Sequence, residues 1–312
     1  MLSTHKGILY AAITTLLWGV LGIMLKAASH FIDAYSLVWI RFVIALVCIL
    51  PFYGLRAPHK LRLFMRPPAL LLLASVFLSL NYLGFMRGIE LTSPSNAQVL
   101  GQIGPILLVV FGVVLLKERL SWQQLVGILC AAVGFYMFFE DQVSSLLMSP
   151  SAYTLGIVWI AACSVTWALF AISVKMLVDR FEPQILNAFM YGIGIFLFLP
   201  FVNFSVFASL SLGDWALVLA LGLNTLLSYG FLAASFKHLN ASTVAMITTL
   251  SPVLCVLFMT ALSMLHLRWV DPEFIHPIGY LGAAFTVVGA ALVVRYQGAR
   301  SERVEPLAES TP

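Results

Sequence analysis

Apolar runs about one membrane thickness long, divided by short polar turns, repeat along the whole chain. They fall at roughly 7–27, 34–54, 69–89, 94–116 and 122–139, and again at roughly 153–177, 184–205, 213–236, 242–265 and 276–295. About 20 residues of helix cross about 30 Å of hydrocarbon, so each run is long enough to be a span. Lipid offers no partners to backbone amides, and the period-two alternation of a barrel strand is missing. The pattern therefore predicts ten transmembrane helices and an all-α integral membrane protein.

The runs repeat as a set of five. GILYAAITTLLWGVLGIMLK in the first run aligns with GIVWIAACSVTWALFAISVK in the sixth, so Gly7, Trp18 and Lys26 match Gly156, Trp167 and Lys175 at an offset of 149, as does Pro51 with Pro200. At an offset of 147, Asn81-Tyr82 matches Ser228-Tyr229, Ser95 matches Ser242, and Gly104-Pro105 matches Ser251-Pro252. Gly127 and Gly134 match Gly282 and Gly289 after an eight-residue insertion near Trp269 to His276. The chain is thus predicted to divide into a first five-helix repeat at 1–148, a second at 149–297 and a polar cytoplasmic tail at 298–312. An odd number of spans per repeat inverts the second copy relative to the first, the construction of secondary transporters that alternate between faces.

Composition agrees: 61% of the residues are hydrophobic and 10% charged, against about 45–50% and about 25% in soluble domains. The apolar run after Lys6 is too long for a signal-peptide core and has no small-residue cleavage site, so it is expected to be retained. With a cytoplasmic N-terminus, thirteen lysines and arginines fall on the inner side and only Lys26, Arg87 and Arg268 on the outer. That asymmetry predicts a cell inner membrane protein with both termini in the cytoplasm. The net charge of +4 is spread over short loops, which gives no support for a nucleic-acid partner.

Polar groups inside spans are costly and mark candidate chemistry. Gln98 and Gln102 lie four apart on one helix face just before Pro105, and Gln102 corresponds to Thr249 in the ninth span. With Asn81, Tyr82, Asn224, Ser228, Tyr229 and the two deep tryptophans, Trp18 and Trp167, they form a predicted belt of neutral hydrogen-bonding groups and aromatics suited to a small polar or amphipathic solute. Pro105 and Pro252 each remove a backbone donor in mid-span and are candidate hinges. For any one of these residues, helix cross-linking or core packing is the competing role. Arg41, two turns into the second span, could attract an anion, pair with Asp33 or snorkel to water. Arg87 is placed to pair with Glu90, and Lys26 and Lys175 to anchor opposite faces.

No aspartate or glutamate falls in mid-span, no GxxxxGK[ST] loop is present, and no HExxH motif or nucleophile elbow appears. Direct ATP coupling and enzymatic catalysis are therefore unsupported, and no cofactor or metal is expected. The cysteines Cys48, Cys130, Cys163 and Cys255 read as small buried hydrophobes.

The tryptophan and lysine of each first helix, the segment NYLGFMRGIELTSPSNAQVLGQIGPILLVVF and the turn LLKERLSWQQLVGILCAAVG resemble the drug/metabolite transporter superfamily, of the ten-helix EamA type. The second half departs from that resemblance. There the turn reads MLHLRWVDPEFIHPIGYLGAAFTVVGA, without a glutamate at the matching place. The resemblance implies movement of small metabolites, amino acids or drugs, and a central cavity lined by the first, third, fourth, sixth, eighth and ninth helices. The functional expectation is a secondary transporter for a small organic metabolite, such as an amino acid, a nucleoside-like compound or a drug. A channel or structural subunit is the alternative, and a homodimer stays open.

Overall fold

The computed structural model describes residues 2–92, 94–138, 151–264 and 277–297. The loop holding Glu140 and Asp141, the insertion at Trp269 to His276 and the tail at 298–312 lie outside the described residues. Among the described residues every regular element is helical. The first half runs α1 (Leu2–Ala28), α2 (Ala34–Arg56), a 3₁₀ segment (Pro58–Phe64), α3 (Ala69–Leu91), α4 (Pro94–Gly101), α5 (Ile103–Leu115) and α6 (Trp122–Phe138). The second runs α7 (Ser151–Leu177), α8 (Pro183–Phe198), α9 (Ser205–Ser209), α10 (Leu212–Phe236), α11 (Ala241–Thr248), α12 (Ser251–Met264) and α13 (Pro277–Gln297).

Seven stretches are long and apolar enough to cross a membrane: α1, α2, α3, α7, α8, α10 and Ala241–Met259. The remaining predicted spans carry shorter apolar helices, Ile103–Leu115, Trp122–Met137 and Ala284–Tyr296. The fourth and ninth spans, expected as single kinked helices, are each divided in two. α4 gives way to α5 at Gln102 (φ −68°, ψ −12°) and α11 to α12 at Thr249 (φ −62°, ψ −11°), which are repeat-related positions in the same conformation. Each break lies three residues ahead of its proline. A proline cannot donate to the carbonyl four residues back, here Gly101 and Thr248, and its ring crowds the preceding turn, so the helix opens ahead of it.

The two halves run in opposite senses. Lys26, near the end of α1, lies with Asp33, Glu90 and Asn203 at one face. Its counterpart Lys175, near the end of α7, donates to the carbonyls of Phe236 (2.6 Å), the last residue of α10, and Leu239 (2.9 Å) just beyond it. α1 begins at that second face, where Ser3 Oγ is 2.8 Å from His238 Nδ1, and Lys60 pairs there with Glu182. The interfaces repeat with the sequence. α1 packs on α10 as α7 packs on α3. Gly7 abuts His238 and Leu239, while Gly156 abuts Leu91 and Thr92, pairs related by the two offsets. Thr14 Oγ1 donates to the Ser228 carbonyl at 3.1 Å, and at the matching positions Asn81 Nδ2 donates to the Cys163 carbonyl at 3.1 Å. One geometry therefore serves two interfaces with different side chains, which is how a duplicated membrane fold tolerates divergence.

α6 and α13 cross where glycines let the backbones meet. A Cβ added at Gly134 would fall 2.5 Å from the Gly282 carbonyl and the Thr286 amide, and one at Gly289 would fall 2.5 Å from backbone atoms of Gly127 and Ala131. Of the cysteines, Cys163 and Cys255 are buried as expected, but Cys48 is exposed and Cys130 partly so, because α2 and α6 turn those faces outward. A thiol is apolar enough for lipid, so burial in protein is not required there.

Gly134→Leu is expected to lower the thermal midpoint of the detergent-solubilised protein sharply, since only backbone could yield, with a cost of about 3 kcal/mol or more. Gly54→Ala, at a position with nothing within 4 Å of the added Cβ, should leave the same melting curve unchanged.

Candidate functional site

The two breaks border one cavity of about 100 Å³. Gly101, Gln102 and Pro105 line it from the fourth span, and Thr248 and Ser251 from the ninth. α1 contributes Trp18 and Leu21, α3 Asn81 and Phe85, α7 Cys163, Ser164 and Trp167, and α10 Tyr229. These are the first, third, fourth, sixth, eighth and ninth spans. α11 and α4 are eight residues each, so their carboxyl ends, with the negative end of the helix dipole, reach the cavity at mid-depth.

The aromatic walls are built by symmetry. Trp18 and Trp167, repeat-related, meet edge to face with centroids 5.7 Å apart, and Trp18 meets Tyr229 in the same way at 5.7 Å. Gly104 makes room for this: a Cβ there would lie 2.8 Å from the Trp167 ring. The polar lining is partly committed. Gln98 Nε2 donates to the Trp18 carbonyl at 3.4 Å and Gln102 Nε2 to the Gln98 carbonyl at 3.3 Å, while Tyr229 Oη donates to Asn81 Oδ1 at 3.4 Å. Gln102 Oε1 is buried without a hydrogen-bond partner. Pro105 and Pro252 cannot donate to the carbonyls of Gly101 and Thr248, two residues that line the cavity. No lysine, arginine, aspartate or glutamate is among the lining residues.

Of the ten residues nominated from the sequence, Trp18, Asn81, Gln98, Gln102, Trp167 and Tyr229 come together on the cavity. Tyr82, Asn224, Ser228 and Thr249 do not line it. The Tyr82 ring stands behind Tyr229 with centroids 5.3 Å apart. Asn224 Nδ2 ties α10 to the Leu17 carbonyl of α1 at 2.9 Å, the Ser228 carbonyl accepts from Thr14, and Thr249 Oγ1 turns back to the Met246 carbonyl at 2.6 Å. Of the nominated hinges, Pro105 lines the cavity and Pro252 is buried beside it. Leu21, Phe85, Cys163 and Ser164 were missed, although each lies three or four residues from a nominated neighbour and so shares its helix face.

Arg41 neither pairs with Asp33 nor reaches water. It is 2% exposed, its Nε donates to Thr225 Oγ1 at 3.1 Å, and its guanidinium lies 4.6 Å from the Tyr82 ring centroid. Asp33 instead caps α2 through the Ser36 amide at 3.0 Å, because a carboxylate at a helix start satisfies an otherwise unpaired N–H. The aromatic ring and the hydroxyl take the place of a counter-ion. Arg87 pairs with Glu90 at 2.9 Å as expected.

The fold resembles a solved crystal structure with a TM-score of 0.73 at 18% identity, covering 96% of this chain and 99% of that one. The chain is 32% identical over 289 residues to the inner membrane transporter YhbE of Escherichia coli K12, covering 91% of this chain and 89% of that protein. It is 28% identical over 291 residues to a transporter of Haemophilus influenzae, covering 92% and 94%. A more distant relative, the pseudopaline exporter CntI of Pseudomonas aeruginosa, is 23% identical over 240 residues, covering 77% of this chain and 81% of its own. The model of the EamA-like transporter family matches residues 5–139 and again 154–295, one match for each repeat. This multi-pass membrane protein, built of two five-run repeats around a shared cavity, belongs to the EamA-like transporter family.

Proposed function

We propose that this transporter moves a small organic metabolite by alternating access, with the solute held in the cavity between the two broken spans. The observation that carries the reading is the matched pair of breaks at Gln102 and Thr249, in one conformation, in halves that run in opposite senses. Two copies of one unit on either side of a shared site can exchange conformations, which exposes the site first at one face and then at the other.

The chemistry of the lining narrows the solute. The unpartnered Gln102 Oε1 beside the cavity favours a hydrogen-bond donor on the solute, such as an amino or hydroxyl group. The walls of Trp18, Trp167, Tyr229 and Phe85 favour a flat or apolar portion. Amino acids, nucleoside-like compounds and amphipathic drugs meet both conditions, and a relative named as an exporter makes outward the first direction to test. The positive-inside asymmetry supports placing the face where α1 begins, with Lys60 and Lys175, in the cytoplasm.

In proteoliposomes preloaded with mixed metabolites, saturable counterflow of one labelled class is expected. Flux that rises linearly with concentration for every class would point to a channel instead. Gln102→Leu should lower the initial counterflow rate about tenfold, the loss expected for one buried hydrogen bond, with membrane expression unchanged. Undiminished flux in that variant would remove the cavity from the mechanism. Arg62→Cys should react with an impermeant thiol reagent only from the cytoplasmic side, and reaction from outside would reverse the orientation.

A further inference from the structure

Glu118 lies in the turn between α5 and α6, where Lys117 takes a positive φ of 55°. This left-handed residue folds the chain back, so that the Glu118 amide bonds the Gly112 carbonyl at 3.0 Å and the side chain is sent toward the second half. There the carboxylate closes on the start of α11: Oε1 accepts from the Ala241 amide at 2.7 Å, and Oε2 from the Ser242 amide at 3.1 Å and the Ser242 hydroxyl at 2.6 Å. Asn240, the residue in N-cap position, makes no side-chain cap bond. A helix start needs its free N–H groups satisfied and favours negative charge, and here the opposite repeat supplies both. Gly112 is part of the fit, since a Cβ there would meet Glu118 Oε2 at 2.7 Å.

α11 is fully buried along its length, and its far end, Thr248, is cavity wall. Eight residues of helix, about 12 Å, separate the carboxylate from the cavity. Leu21, Phe85 and Gln98 line the cavity toward the other face, where α1 and α3 end, Trp167 and Tyr229 toward the face where α1 begins, and no lining residue comes from the first turns of α1 or α11. α11 therefore stands, with the ends of α7 and α10, between the cavity and the face where α1 begins, and its start is held by a charge from the other half. In the second half, the sequence MLHLRW has no glutamate at the matching place.

We propose that Glu118 is a one-sided latch: its bonds to Ala241 and Ser242 hold α11 in the closed position, and their release opens the cavity to the face where α1 begins. This rests on the alternating-access reading above. The latch acts through α11 and does not touch the solute, so Glu118 is a positioning residue. It biases the equilibrium between the two exposures toward the state seen here, because the matching turn of the second half carries no glutamate at the equivalent position.

Cys163, on the cavity wall, is a built-in reporter. In a background with Cys48, Cys130 and Cys255 replaced by alanine, an impermeant maleimide is applied to right-side-out and to inside-out membrane vesicles, and counterflow is measured on the same protein. Glu118→Ala should raise the rate of Cys163 modification from the face where α1 begins about tenfold, the shift expected from losing at least one charge-assisted bond, and lower it from the other face. Ser242→Ala, which keeps the carboxylate and loses one donor, should shift both rates the same way by less, and it decides the matter if Glu118→Ala does not fold. Unchanged rates from both faces in folded protein overturn the latch, even where counterflow persists and the transport reading survives. Shifted rates without any counterflow support the latch and count against the transport reading.

Discussion

Inside hydrocarbon a backbone amide or carbonyl has no partner except another part of the chain, and each one left unpaired costs several kcal/mol. That constraint makes every apolar run a helix. It also makes Pro105 and Pro252 expensive unless the carbonyls they release are useful. Both residues concerned, Gly101 and Thr248, line the cavity. The places where helical pairing fails thus border the cavity, and the repeat puts two of them on one space.

The same economy governs the buried side chains. Thr14, Asn81 and Asn224 each bond a backbone carbonyl of a neighbouring helix, so polar atoms in the core are spent on joining the halves. Arg41 shows how far this goes. A charge with no acidic partner among the described residues is kept in the core by one hydroxyl and the face of an aromatic ring, which places a positive group one ring behind the cavity wall. Glycines do the complementary work. At Gly156, Gly127 and Gly134 they bring backbones close enough for dispersion to replace the hydrophobic drive that lipid does not provide.

Symmetry is strict in backbone geometry and loose in chemistry. Gln102 and Thr249 share a conformation but not a role: the glutamine reaches the cavity, while the threonine bonds its own helix. Glu118 ties one half-helix to the opposite repeat through a turn whose counterpart has no matching glutamate. A duplicated fold needs the same close approaches twice, whereas the side chains that do not make those approaches are free to differ between the halves. Side-chain divergence over a repeated backbone is the result.

The hydrophobic pattern by itself determined the helical class, the two repeats and the positions of the breaks to within three residues, because span length, backbone pairing and proline chemistry are local. It also brought out the deep tryptophans and amides, since polar groups are conspicuous in apolar runs. Which of those line the cavity was decided by tertiary structure alone. Asn81 and Asn224 are equally polar and equally deep, yet one lines the cavity and the other only ties α10 to α1. Likewise Arg41 found a ring in place of a carboxylate, and Glu118 found a helix start 123 residues along the chain. The rotation of each helix about its axis comes from packing against partners distant in sequence, and that rotation sets whether a polar group meets a solute, a backbone or another side chain.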